Sequence, residues 1–256
     1  MQLAGNIFSN VSAGIGDEIS TFPDYPAEIR APQGTLGGVS GFQVHIGKGV
    51  HTPGDLADVL VAMNPAALKT NACYVKKGGV VIIDSDSFRA SDLEKAAFTT
   101  DDPIQEAGLS HAQIVPVAIT QMVKDSLADS GLDNKSIVRC KNMFALGLVC
   151  WLFDRPLEQA QHLLKNKFAK KPAIYEANAK VMRDGYNYGN NIHASVSTYR
   201  VESAQVKPGI YTDVNGNTAT AWGLIAASEK SGLPLFLGSY PITPATDILH
   251  ELAKRC

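Results

Sequence analysis

After a first forty-odd residues rich in Gly, Ser and Pro with few apolar runs, short β-branched runs separated by helix-like stretches follow as far as about Thr120. Phe42-Gln-Val-His-Ile46 alternates with period two, as a half-buried strand does. Asp58–Met63, Gly79–Asp84 and Ile114–Ile119 are compact apolar runs bounded by turn residues, and each reads as a strand, the last weakened by Pro116. Helical spacing lies between them around Ala66–Leu68 and Ser91–Ala97. This alternation predicts an α/β fold, a mostly parallel sheet with helices on both faces.

From about Thr120 the texture becomes helical. Lys141–Phe153 is almost wholly apolar after its first residues, so it should be buried on most sides. Pro156–Phe168 and Pro172–Tyr186 each begin with proline, which suits a first helical turn. Gly189–Ser197 is polar and aperiodic, and Arg200–Tyr211 reads as extended. A domain boundary is expected between Gly189 and Asp213, drawn here as residues 1–198 and 199–256.

A second α/β unit opens at Asn215. A helix to about Ser231 leads into Leu233-Pro-Leu-Phe-Leu237, a short buried strand by composition, and then into the turn Gly238-Ser-Tyr-Pro-Ile-Thr-Pro244. Ile248–Leu252 has helical spacing again. A helix–strand–helix of this size cannot bury its own apolar faces, so a partner or further polypeptide is expected to complete it.

With 256 residues, 45% of them hydrophobic, the chain has ample material for a core. Its net charge of -2 and lack of a basic run argue against nucleic acid or an anionic membrane surface as partner. No apolar run approaches the roughly 20 residues that span a bilayer, and the polar start does not read as a signal peptide. Cys73, Cys140, Cys150 and Cys256 are far apart, which argues against an iron–sulfur cluster or structural zinc in this chain and favours reduced, buried thiols in a cytoplasmic protein.

Candidate chemistry is sparse. Thr243 places a hydroxyl at a strand-to-helix turn, beside a helix N-terminus whose free N–H groups favour anions, where ligands of open α/β sheets bind. The long Pro- and Gly-rich stretch around Glu28 and Arg30 could receive a phosphate or carboxylate, or simply be an ordered connection. Asp84 and Asp86 follow a strand end, where carboxylates either bind a ribose or metal or cap the turn. The six histidines lack metal-ligand spacing, and no nucleophile elbow is present.

Tyr240-Pro-Ile-Thr-Pro244 resembles the Y-P-I-T-P signature of 2-oxoacid:ferredoxin oxidoreductases, and Gly216-Asn217-x-Ala219-x-Ala221-x-Gly223 resembles the helix before it in that family. Glu28-Ile29-Arg30 resembles the family's E-I-R element, continuing here with Ala31-Pro32 where many members have two glycines. That variant, with Asp58–Ala67, Arg139-Cys-Lys-Asn142 and Gly185-Tyr-Asn-Tyr-Gly189, is similar to alpha subunits of the 2-oxoglutarate type.

The resemblance implies a gamma-type α/β domain followed by the start of a pyrimidine-type, thiamine-diphosphate-binding α/β domain. It implies oxidative decarboxylation of a 2-oxoacid, most simply 2-oxoglutarate, to acyl-CoA and carbon dioxide, with electrons passed to ferredoxin. Thiamine diphosphate carries the carbanion chemistry. Thr243 would hydrogen-bond substrate, and Tyr240, Pro241, Ile242 and Thr243 would line the cofactor pocket. Glu28 and Arg30 would face another domain or coenzyme A. Magnesium, the diphosphate and a [4Fe–4S] cluster would belong to a partner beta subunit of a hetero-oligomer. Such alpha subunits extend beyond both ends of the sequence read here, so this chain looks truncated and inactive alone. The same machinery acting on pyruvate or branched-chain 2-oxoacids, and a non-catalytic assembly module, stay open alternatives.

Overall fold

The computed structural model describes residues 1–24, 39–192, 196, 198–204 and 207–255. It divides into two compact units, Met1–Val206 and Lys207–Cys256.

The first unit is built on a parallel sheet of β3 (Ala57–Ala62), β4 (Val75–Asp84) and β5 (Gln113–Val117), adjacent in that order. Side chains of a strand alternate between faces, and β4 shows the consequence. Val80 and Ile82 enter one hydrophobic cluster with α1 (Gln2–Gly14), α5 (Ile119–Ser126), α7 (Lys141–Leu152) and α9 (Pro172–Ile192). Val81 and Ile83 enter a second cluster with α2 (Pro65–Asn71) and α3 (Ala90–Lys95). Both faces are therefore covered, and the central strand is apolar without interruption over its last five residues before Asp84. The expected α/β fold, with a mostly parallel sheet and helices on both faces, is what forms.

Phe42–Ile46 is indeed a strand, but it pairs elsewhere. β1 (Glu18–Asp24) and β2 (Gly41–Gly47) make a separate antiparallel ribbon, with Asp24 opposite Gly41 at its outer rung. α1 lies on this ribbon so closely that a Cβ on Gly5 would stand 2.3 Å from the Phe42 ring.

α7 and α9 pack through glycine. A Cβ on Gly147 would fall 1.9 Å from the Met182 carbonyl oxygen, and one on Gly185 would fall 2.0 Å from that of Phe144. Phe144, Leu148 and Leu152 of α7 and Met182 of α9 are almost wholly buried, as the all-round apolar composition of α7 requires. α9 continues through Gly189 to Ile192, past the point where the polar composition suggested an end. Its buried Val181, Met182, Gly185 and Gly189 keep helical spacing, and packing overrides the local polarity. α8 (Leu157–Lys167) follows a left-handed residue at Asp154 (φ 53) and then Arg155. The Arg155 guanidinium lies 2.7 Å from the Asp17 carboxylate, and their side chains are only 4% and 1% exposed.

The second unit contains α10 (Gly216–Ser231) and α11 (Thr246–Ala253). Asn215 caps α10, its side-chain oxygen accepting from the Thr218 amide at 2.9 Å, and Gly232 ends it in the left-handed conformation. The expected strand over Leu233–Leu237 does not form. The segment has no ladder partner among the described residues, and Leu233, Leu235 and Phe236 are exposed. Strand pairing is a relation between two segments, and the described residues of this unit supply only one.

Candidate functional site

The turn between Leu237 and α11 holds the expected cofactor-side residues together. Tyr240, Pro241, Ile242 and Thr243 all lie on its exposed surface. Their backbone is held from below by Thr246, which composition alone does not single out. The Thr246 hydroxyl accepts from the Ile242 amide at 2.8 Å and donates to the Ile242 carbonyl at 3.0 Å, so one oxygen fixes both polar groups of that residue. Asn217, in the first turn of α10, donates its side-chain amide to the Pro244 carbonyl at 3.0 Å. The Thr243–Pro244 peptide is cis. Thr243 itself has no hydrogen-bond partner for its hydroxyl among the described residues.

The helix N-terminus differs from the expectation of free N–H groups. The amides of Thr246, Asp247 and Ile248 donate to the carbonyls of Ile242, Pro244 and Ala245 at 3.0, 3.2 and 3.0 Å. Asp247 also places a carboxylate in the first turn of α11. Anion attraction at a helix start depends on unsatisfied amides, and here the turn's own carbonyls have taken these three.

Behind the turn, Trp222 of α10 donates its indole N–H to Glu251 of α11 at 3.1 Å. Glu251 also receives Lys254 at 3.0 Å and pairs with Arg255, whose guanidinium lies over the Trp222 ring at 5.5 Å. Hydrogen bonds from Arg255, Lys254 and Trp222 lower the Glu251 carboxyl to about 2, against a small opposing effect of burial. An aromatic and an acid twenty-nine positions apart give no short-range signal.

Glu28 and Arg30 lie outside the described residues. The ends of their segment are described. Gln2 of α1 brings its side-chain amide to the Asp24 carbonyl (3.0 Å), the Gly41 carbonyl (2.6 Å) and the Ser40 hydroxyl (3.0 Å).

Asp84 serves structure. Fully buried at the end of β4, it accepts from Thr120 Oγ1 at 2.7 Å, the Thr120 amide at 3.2 Å and Ser87 Oγ at 2.8 Å, with Lys141 Nζ 3.3 Å away. Asp86 accepts from the Gln121 amide at 2.8 Å. These carboxylates pin the starts of α5 and α7 to the sheet edge, which favours their reading as turn and capping residues. Among the described residues no group of three or more His, Cys, Asp or Glu could hold a metal ion, and no helix is long and apolar enough to cross a membrane. Burial pushes the Cys140 thiol up to about 11 and the Cys150 thiol up to about 12, as expected of buried cysteines, but Cys73 departs from that expectation and is exposed, in a short helical turn before β4.

Comparisons with known proteins agree with this architecture. The chain is 47% identical over 255 residues to the 2-oxoglutarate oxidoreductase subunit KorA of Mycobacterium tuberculosis, covering 99% of this chain and 39% of that protein. It thus spans about two fifths of the length of this curated relative. Its fold is similar to that of 2-oxoglutarate:ferredoxin oxidoreductase from Magnetococcus marinus, solved with 2-oxoglutarate, coenzyme A and succinyl-CoA bound. The TM-score is 0.69 at 24% identity, over 98% of this chain and 38% of that one. The gamma subunit of a keto/oxoacid ferredoxin oxidoreductase from Geobacter sulfurreducens aligns with a TM-score of 0.50 at 22% identity, covering 74% of this chain and 90% of that one. Residues 1–188 match the pyruvate ferredoxin/flavodoxin oxidoreductase family, and the chain belongs to that family.

Proposed function

We propose that this chain is part of the alpha subunit of a 2-oxoglutarate:ferredoxin oxidoreductase, which converts 2-oxoglutarate and coenzyme A to an acyl-CoA and carbon dioxide and passes electrons to ferredoxin. The observation that carries this reading is the 47% identity to a 2-oxoglutarate oxidoreductase subunit along 99% of this chain. In this reading residues 1–198 form the gamma-type domain, and residues 199–256 begin the domain that holds the aminopyrimidine end of thiamine diphosphate. A beta subunit in the cytoplasm supplies magnesium, the diphosphate site and a [4Fe–4S] cluster.

The turn fits one end of the cofactor and not the other. Tyr240 and Ile242 are 69% and 48% exposed and offer apolar surface for a flat ring, with Pro241 between them. The turn offers no cation for a diphosphate, and the first amides of α11 are taken. When bound, thiamine diphosphate supplies the carbanion-stabilising chemistry of decarboxylation. The chain's own contribution is to orient it: Tyr240, Pro241 and Ile242 form a wall, and Thr243 offers its hydroxyl to the carboxylate or oxo group of the substrate. A hydrogen bond to a charged group contributes about 1.5–3 kcal/mol. In this reading Glu28 and Arg30 serve either the face toward another domain or the approach of coenzyme A.

The test uses the complete reading frame co-expressed with the beta subunit, assayed for coenzyme A-dependent reduction of a viologen dye with a panel of 2-oxoacids. Preference for 2-oxoglutarate is expected. Preference for pyruvate keeps the family and replaces the substrate, while no reduction from a folded, cofactor-loaded complex leaves an assembly module.

A further inference from the structure

We infer that Thr246 is a positioning residue for Thr243, acting on the reaction through the direction in which the Thr243 hydroxyl is held. The inference rests on the reading that this hydroxyl meets the substrate.

A threonine at a helix start ordinarily serves the helix, its hydroxyl accepting from one of the first free amides. Thr246, the first residue of α11, does not. No side chain caps that helix, and the Thr246 hydroxyl turns back on the chain before it. It accepts from the Ile242 amide at 2.8 Å and donates to the Ile242 carbonyl at 3.0 Å. The Thr246 amide adds a second donor to that carbonyl at 3.0 Å. Ile242 and Thr246 thus close a ring around Thr243, Pro244 and Ala245.

The two groups that the hydroxyl holds belong to different peptides. The amide is part of the peptide joining Pro241 to Ile242, and the carbonyl is part of the one joining Ile242 to Thr243. A peptide is planar, so fixing its carbonyl also fixes the N–H side from which Thr243 departs. Beyond Thr243, Asn217 holds the Pro244 carbonyl at 3.0 Å. Only Thr243 and the pyrrolidine ring of Pro244 separate the two held peptides, and that ring restricts its own φ. The Thr243 side chain therefore leaves a backbone that is set before substrate arrives, and its β-branch narrows the choice of χ1. Its hydroxyl takes no part in these bonds. Errors of direction at a reacting group are costly, on the order of a hundredfold for a displacement of about 1 Å. Thr246 need touch no ligand itself; it works through Thr243.

The test compares Thr246→Val, which keeps the shape and removes the hydroxyl, with Thr246→Ser, which keeps the hydroxyl, in the complete enzyme with its beta subunit. Thr246→Val is made both alone and together with Thr243→Val. In the cofactor-free complex it should speed backbone amide exchange over residues 240–246 by about fivefold, the equivalent of one net hydrogen bond. In the loaded complex it should lower kcat by roughly tenfold. Thr246→Ser should restore both. In the Thr243→Val background Thr246→Val should cost no further turnover, because the hydroxyl it directs is gone. A role confined to folding predicts the same further loss in either background, and that result overturns the inference. Unchanged exchange in Thr246→Val overturns it too, as does unchanged kcat in Thr246→Val when Thr243→Val is impaired. If Thr243→Val keeps full turnover, the reading of Thr243 as the substrate's partner fails, and the inference falls with it.

Discussion

Asn217 donates its side-chain amide to the carbonyl of Pro244 at 3.0 Å, so the first turn of α10 and the turn that precedes α11 are joined by one hydrogen bond across twenty-seven positions. Asn217→Asp exchanges the donor for a carboxylate facing a carbonyl oxygen. In the complete enzyme this variant should bind thiamine diphosphate at least about fivefold more weakly, the worth of roughly 1 kcal/mol. Fluorescence titration of the cofactor measures it.

Thr243→Val preserves the shape of the side chain and removes its hydroxyl. Since that hydroxyl holds no described neighbour in place, stability should be unchanged while turnover falls by roughly tenfold or more. Steady-state assays paired with thermal melts separate the two, and full turnover would remove Thr243 from the site.

Gly185→Ala should destabilise the first unit by about 3 kcal/mol or more, as overpacking against a backbone carbonyl demands. The α7–α9 contact cannot yield, because the intruding atom meets Phe144 O on one helix rather than the end of a flexible side chain. Alanine at Gly223 of α10, where a Cβ meets nothing within 4 Å, should leave the stability of its own unit unchanged or slightly raised. Denaturant melts of the two variants provide the comparison.

Arg155→Met should cost about 3–5 kcal/mol at neutral pH, since it strands the Asp17 carboxylate in the interior. Burial already raises the Asp17 carboxyl, and Arg155 pulls it partly back. Without the guanidinium it rises further, and the folded state then takes up a proton more readily than the unfolded one. The deficit should therefore shrink as pH falls toward the raised value. Thermal melts at pH 7 and pH 5 show it, and adding Asp17→Leu should recover much of the loss at both.

Glu251, held at about 2, adds stability to the second unit that is complete above the ordinary carboxyl value of 4.5 and is lost as pH falls from there through about 2. Its protonation should move the Trp222 indole N–H resonance with a midpoint near 2, whereas a midpoint above 4 would mean that the bonds from Arg255, Lys254 and Trp222 do not persist in solution.

The sheet was legible because each strand's apolar run is bounded by turn residues, and α7 because an all-apolar helix has no solvent face to show. The end of α9 was not, since Tyr186–Ile192 is polar by composition and stays helical through buried Gly185 and Gly189 against Phe144 and Trp151. Leu233–Leu237 failed in the opposite sense: its residues favour a strand, but a strand needs a second segment beside it. At the candidate site, Tyr240–Thr243 could be located by their motif and the turn residues around them. Thr246 could not, for its role depends on a carbonyl that only the folded chain brings near. Asp84 was visible as a carboxylate at a strand end, but its donors Thr120 and Lys141 come from segments thirty-six and fifty-seven positions away.

The saturated start of α11 has a consequence for ionic strength. A site that gains affinity by pairing a ligand's negative charge with open amides weakens as salt screens that attraction. The Tyr240–Thr243 turn has committed three such amides to its own carbonyls and carries Asp247 beside them. If this turn is the cofactor wall proposed above, its contribution to binding comes from contact area and one hydroxyl, and that share of the affinity should persist in concentrated salt.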